Sequence, residues 1–145
     1  EKQIEESKAD DEELIKVQER LNGYFEDITT RILGDPISLK FDNEKFPIGI
    51  EGGNKGSGDK KALSSCFGFS MIRLFEYFHR DLPYFMIQDS IERISEATLR
   101  NLFEYVNESD IQYIIPVLRD KIKSVGIDED RVVLELSHKE KLFRI

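Results

Sequence analysis

Leu14, Val17, Leu21, Tyr24 and Ile28 fall at alternating spacings of three and four, the seam of a heptad helix. Residues 1 to about 12 (EKQIEESKADDE) are almost wholly polar. Two readings fit that seam: the end of a coiled coil, or an amphipathic helix packed on its own domain. The polar start favours the first, so residues 1–33 are expected to be the end of a truncated coiled-coil arm. Gly34-Asp35-Pro36 stops the helix, because glycine supplies a left-handed cap and proline cannot continue the ladder. A new unit, residues 34–145, is expected from there.

Ile37, Leu39 and Phe41 alternate with polar residues, Asp42 to Lys45 read as a turn, and Phe46, Ile48 and Ile50 alternate again: a β-hairpin. Glu51 to Asp59 (EGGNKGSGD) then holds four of the nine glycines. Such a concentration fits a backbone that needs unusual dihedrals or close approach to a ligand. From Lys60 to Arg80, Leu63, Cys66, Phe67, Met71, Leu74, Phe75 and Phe78 recur at helical spacing, with Phe69 and Ile72 thickening the stripe. This predicts a deeply buried helix. Leu82-Pro83 ends it, and the apolar run Tyr84 to Ile87 predicts a strand covered on both faces. Ser95 is placed to cap a helix carrying Leu99, Leu102, Phe103 and Val106. Ile111 to Ile115 predicts a second buried strand, and Leu118, Ile122 and Val125 a short helix. Arg131 to Leu136 (RVVLEL), a polar turn over Ser137 to Glu140, and Leu142 to Ile145 predict a closing hairpin.

Composition narrows the function classes. A chain of 145 residues has the size of one domain and buries about 70% of its unfolded surface. Apolar content of 39% and charged content of 34% fit a globular part joined to a solvated helical arm. A net charge of −8 repels phosphate backbones, so DNA contact needs a local patch or a partner. The single Cys66 forbids an internal disulfide, and no signal peptide or long apolar span is present. A cytoplasmic location without a membrane partner is the expectation.

Two features carry candidate chemistry. A glycine loop that opens a helix gathers backbone N–H groups and the positive end of the helix dipole at one point, which suits a phosphate; a plain surface loop is the alternative. Gly53 and Gly58 have the separation of a Walker A loop, but Asp59 stands where lysine is required and Ala62 follows where Mg²⁺ needs a hydroxyl. The second feature is Asp89 at the C-terminal end of the Tyr84–Ile87 strand, where ligands of open α/β sheets gather. A carboxylate there can hold the water shell of Mg²⁺; aspartate is also an ordinary turn former. Cys66, His79 and His138 lack zinc-site spacing, and Gly56-Ser57-Gly58 lacks the frame of a nucleophile elbow. Phe67, Phe69, Phe75 and Phe78 have a helical period, so they are expected to be core rather than a base-stacking platform.

The order of glycine loop, helix, aspartate-tipped strand and second strand resembles the C-terminal lobe of SMC-like ABC-type ATPase heads. From Phe46 onward, in IEGGNKGSG, CFGFS, FMIQDS and VVLELS…LFRI, the chain is similar to the C-terminal domain of YydD-like bacterial coiled-coil ATPases of ABC-three-component systems. The resemblance implies an α/β fold: the C-terminal half of a P-loop head, a mixed sheet with flanking helices, preceded by a coiled-coil stub. It puts Gly56, Ser57, Gly58, Asp59 and Lys60 at the signature motif S-G-G-E-K, and Asp89 at the Walker B aspartate that orders Mg²⁺. It also implies ATP and Mg²⁺ as cofactors of the complete head. The partners implied are an N-terminal Walker A half, a second head as homodimer, and DNA through the whole assembly.

The chain departs from that pattern at several points. The signature serine is displaced by one position and Lys55 replaces an apolar residue. Ser90 occupies the place of the water-positioning glutamate, and a hydroxyl is no base near neutral pH. No histidine follows the second strand; Arg119 is the candidate substitute for the switch residue, and His138 falls in the final turn. His79, beside Arg80 at a helix end, is expected to complement the helix dipole. The expected function is the trans-acting C-terminal lobe of a DNA-maintenance or antiphage ATPase, inactive without its Walker A half. The alternative is a non-catalytic dimerisation or protein-docking module built on such a head.

Overall fold

The computed structural model describes residues 2–41, 49–50, 56–80, 82–89 and 91–137, with side chains from residue 12 onward. Helix α1 spans Lys2–Leu33, and strands β1 (Leu39–Lys40) and β2 (Gly49–Ile50) follow. Helix α2 spans Ser57–Tyr77 and β3 Phe85–Ile87; a 3-10 turn covers Ile91–Arg93. Helix α3 (Glu96–Asn107), β4 (Gln112–Ile114), α4 (Arg119–Val125) and a 3-10 turn at Glu129–Arg131 complete the order.

The lower turns of α1 bury Leu21, Phe25, Ile28 and Ile32, which join Leu63, Cys66 and Phe69 of α2 and Leu102 and Tyr105 of α3 in one core. Of the heptad seam, Leu21 and Ile28 are therefore core of the lobe, whereas Leu14 is exposed. Phe25 meets Phe67 edge-on, and Phe69 lies 5.4 Å from both Tyr105 and Tyr113. Gly34 takes φ 89° and donates its N–H to the Thr30 carbonyl at 3.0 Å, so the helix stops where the Gly-Asp-Pro sequence says it should.

The chain then folds back along α1, which offers side chains to the backbone. Ile37 N–H donates to Thr29 Oγ1 at 3.0 Å and Leu39 N–H to Asn22 Oδ1 at 2.6 Å. β1 pairs antiparallel with β2, Leu39 opposite Ile50. The predicted turn at Asp42–Lys45 and strand residues Phe46 and Ile48 lie outside the described residues.

β3 and β4 pair in parallel, Met86 opposite Tyr113, with α3 as the crossover. The fold is thus a small α/β domain with two separate two-stranded sheets, rather than one mixed sheet, among the described residues. The β3–β4 sheet corrects an expectation. Met86, Gln88 and Tyr113 face α2, while Phe85, Ile87 and Ile114 on the other face are exposed, Ile87 at 67%. An apolar run declares that both faces are apolar, not that both are covered by the same chain. Arg131–Leu136 likewise forms no strand: a 3-10 turn ends at Arg131, and Val133, Leu134 and Leu136 are exposed. Residues 138–145, the return arm of the closing hairpin, lie outside the described residues.

Candidate functional site

The first turn of α2 is built from the last of the glycine loop. Gly56 is the N-cap residue, in extended conformation, and no side chain caps the helix there. The first intrahelical bond runs from Lys60 N–H to the Gly56 carbonyl at 3.0 Å. The N–H groups of Ser57, Gly58 and Asp59 precede that bond, at the positive end of a helix of 21 residues. Gly56, Ser57, Asp59 and Lys60 are exposed and Gly58 is half-buried. Such a turn can accept an anion through backbone amides, with Lys60 adding positive charge and Asp59 opposing it.

Gly58 has a packing role as well. A β-carbon there would overlap the carbonyl oxygen of Arg93, in the 3-10 turn that follows Asp89. The glycine lets that turn lie directly against the first turn of α2. Beneath the contact, Ala62 packs with Ile91, Ile94, Leu99 and Val125 in a second small core. The site therefore rests on packed apolar side chains, not on a loop alone.

The aspartate arrives from the other side. β3 runs antiparallel to α2, so its C-terminal tip reaches the N-terminal turn of the helix. Lys61 Nζ donates to the Asp89 backbone carbonyl at 3.4 Å. Asp89 is exposed. Gly56–Lys60 and Asp89 are thus brought together at the N-terminal turn of α2. Mg²⁺ keeps several waters and takes one or two carboxylates plus substrate phosphates, so the chemistry of the single exposed Asp89 carboxylate is compatible with that ion. Among the described residues no cluster of three or more His, Cys, Asp or Glu could hold a metal by itself.

Between these two elements lies a buried polar knot. Gln88 Nε2 donates to the Lys61 carbonyl at 2.9 Å; Gln88 Oε1 accepts from Ser65 Oγ and, at 3.0 Å, from Tyr113 OH. Burial pushes the Tyr113 phenol up to about 12, opposed by the hydrogen bond with Ser65. Burial raises the Cys66 thiol, one position along α2, to about 12 as well.

Other expected participants stand elsewhere. Ser90 and His138 lie outside the described residues. Arg119 is exposed at the start of α4 and pairs with Glu135. His79 follows the C-terminus of α2, about 30 Å from the glycine turn at 1.5 Å per residue. It adopts φ 48°. Its N–H bonds the Glu76 carbonyl while Arg80 N–H bonds that of Phe75, a Schellman cap, so its backbone conformation is what the fold uses. Of the phenylalanine stripe, Phe69 is fully buried, Phe67 and Phe75 half-buried, and Phe78 is exposed, so the core reading holds for the first three.

A family model described as an uncharacterised protein conserved in bacteria, DUF2326, matches residues 8–145. The chain belongs to that family. No curated protein matches the sequence. Among solved structures, the DUF2326 chain is similar to one from work on ATP-driven dimerization and DNA-stimulated activation of SMC ATPases. The TM-score is 0.57 at 20% identity, over 76% of this chain and 74% of that one. The likeness is one of fold: the DUF2326 lobe has an SMC ATPase-like α/β architecture.

Reasoning from sequence passed over Lys61, Ser65, Gln88, Arg93 and Tyr113, which join the two candidate elements. A signal for Gln88 exists in the period of two along the strand: Tyr84, Met86 and Gln88 share a phase, so a polar residue follows inward-facing positions. No comparable signal marks Arg93, whose contribution is a backbone carbonyl.

Proposed function

We propose that this DUF2326 chain is the C-terminal lobe of an ATP-driven dimerising head. Gly56, Ser57, Gly58, Asp59 and Lys60 form the signature-like turn that contacts the γ-phosphate of an ATP held by the opposite head. Asp89 orders Mg²⁺ at the nucleotide of its own head. The observation that carries this reading is the convergence of the α2 N-terminus and the β3 tip in an SMC ATPase-like fold. Phosphoryl transfer is mainly positioning and charge stabilisation, which a site divided between two chains can supply. ATP and Mg²⁺ belong to the complete head, whose Walker A half precedes the arm of residues 1–33 and covers the apolar outer face of β3 and β4. The setting in DNA maintenance or antiphage defence rests on the sequence resemblance to YydD-like ATPases, and DNA would be met by the assembly rather than by this acidic lobe. Among the described residues no helix is long and apolar enough to cross a membrane.

Ser90 favours a second reading, in which the head dimerises without hydrolysing, because the residue after Asp89 carries no base. Sedimentation velocity of the lobe joined to its native N-terminal half, with and without Mg-ATP, tests both. A dimer that needs Mg-ATP, is lost in Ser57→Arg and is weakened in Asp89→Asn supports the head; phosphate release then separates hydrolysis from clamping. Equal mass under every condition sinks the ATP-driven reading. Ser57 is the better probe than Gly58, since any side chain at Gly58 also collides with Arg93.

A further inference from the structure

β3 has few means of fixing its position. It is three residues long, pairs only with β4 among the described strands, and presents Phe85 and Ile87 outward. Two inward side chains, together with the Lys61 Nζ bond to the Asp89 carbonyl, hold it to α2. Met86 lies against Gly68, where a β-carbon would overlap its sulfur, and Gln88 reaches Lys61 and Ser65. A methionine contact can slide, whereas the Gln88 amide cannot: it donates on one side and accepts two hydroxyls on the other.

Gln88 is 8% exposed and immediately precedes Asp89; Lys61, whose carbonyl it engages, immediately follows Lys60. An apolar residue at position 88 would bury equally well, so the polar choice sets register more than it adds stability. Resting on the reading of the site given above, we infer that Gln88 is a positioning residue, with Ser65 and Tyr113, that makes the β3 tip bearing Asp89 move as one body with the signature-like turn. Closure of a second head on Gly56–Lys60 is thereby transmitted to the carboxylate at the head's own nucleotide, and loading there pre-sets the turn.

The test separates register from stability. Replacing all three polar groups together, Ser65→Ala, Gln88→Met and Tyr113→Phe, leaves no buried donor or acceptor orphaned, so melting should stay near that of the wild type. In the protein joined to its N-terminal half, the triple variant should bind Mg-ATP as the wild type does yet need about tenfold more protein to form the ATP-dependent dimer. Leu102→Ala, which damages the core and removes no polar group of the knot, should lower melting and leave that concentration unchanged. If the triple variant does not fold, Tyr113→Phe alone, which removes one of the two hydroxyls on Gln88 Oε1, should shift the dimer midpoint about threefold. Whichever of these variants is read, unchanged dimerisation overturns the inference alone. A wild type that ignores Mg-ATP overturns the reading of the site and this inference with it.

Discussion

Gly58 and His79 mark opposite ends of α2, and each is constrained by backbone rather than by chemistry. At Gly58 the neighbouring Arg93 carbonyl leaves no room for a β-carbon. Gly58→Ala should therefore cost about 1–3 kcal/mol, the range for overpacking, and a denaturation midpoint shift in the isolated lobe checks it; wild-type stability would mean that the two turns are not in contact. His79 holds φ 48°, where an L side chain is strained by about 1–2 kcal/mol. His79→Gly should stabilise the lobe by about 1 kcal/mol and leave Mg-ATP-dependent dimerisation unchanged. A loss of dimerisation instead would give the imidazole a role that its distance from the glycine turn denies.

At the scale of elements, much was legible. The helix after the glycine loop, the aspartate-tipped strand, the Ser95 cap, whose oxygen accepts from Thr98 N–H at 3.2 Å, and the second strand all stand where periodicity and capping chemistry put them. What could not be read was which side of an apolar strand is covered. Phe85, Ile87 and Ile114 have the same residue types as a doubly covered strand, and only the packing of α2 on one face distinguishes them. The knot between Ser65, Gln88 and Tyr113 was hidden for a related reason: its members are far apart in sequence and each is ordinary alone. Burial of these elements has a pH signature. Unfolded, the Cys66 thiol and Tyr113 phenol lose protons from about 9 and 10, whereas in the fold both stay protonated to about 12. Their contribution is thus complete below pH 9 and declines as pH rises towards 12. Melting temperature should fall through that window, less steeply in Tyr113→Phe, and Cys66 should resist alkylation at pH 8; a flat profile with a reactive thiol would contradict the buried placement.

For the whole molecule, the outer face of β3 and β4 is the largest consequence of the fold. Phe85, Ile87 and Ile114 form an apolar surface, with Leu118 exposed beyond β4; Val133, Leu134 and Leu136 are also exposed, on the segment that the Arg119–Glu135 pair ties to the start of α4. Ile87→Thr with Ile114→Thr should change the stability of the lobe by less than about 1 kcal/mol, as for surface positions, while abolishing its association with the N-terminal half in a pull-down of the two pieces. Retained association would mean that the proposed N-terminal half docks elsewhere.

In the head we propose, the signature-like turn serves the other head's nucleotide. Mixing two impaired full-length proteins tests it: one carries Ser57→Arg, the other lacks the phosphate-binding lysine of its N-terminal half. Neither should dimerise alone with Mg-ATP. Together they rebuild one intact site, from the Walker A half of the first and the α2 turn of the second, so an ATP-dependent dimer should appear by light scattering. If the mixture stays monomeric while the wild type dimerises, the turn acts within its own head and the trans account fails.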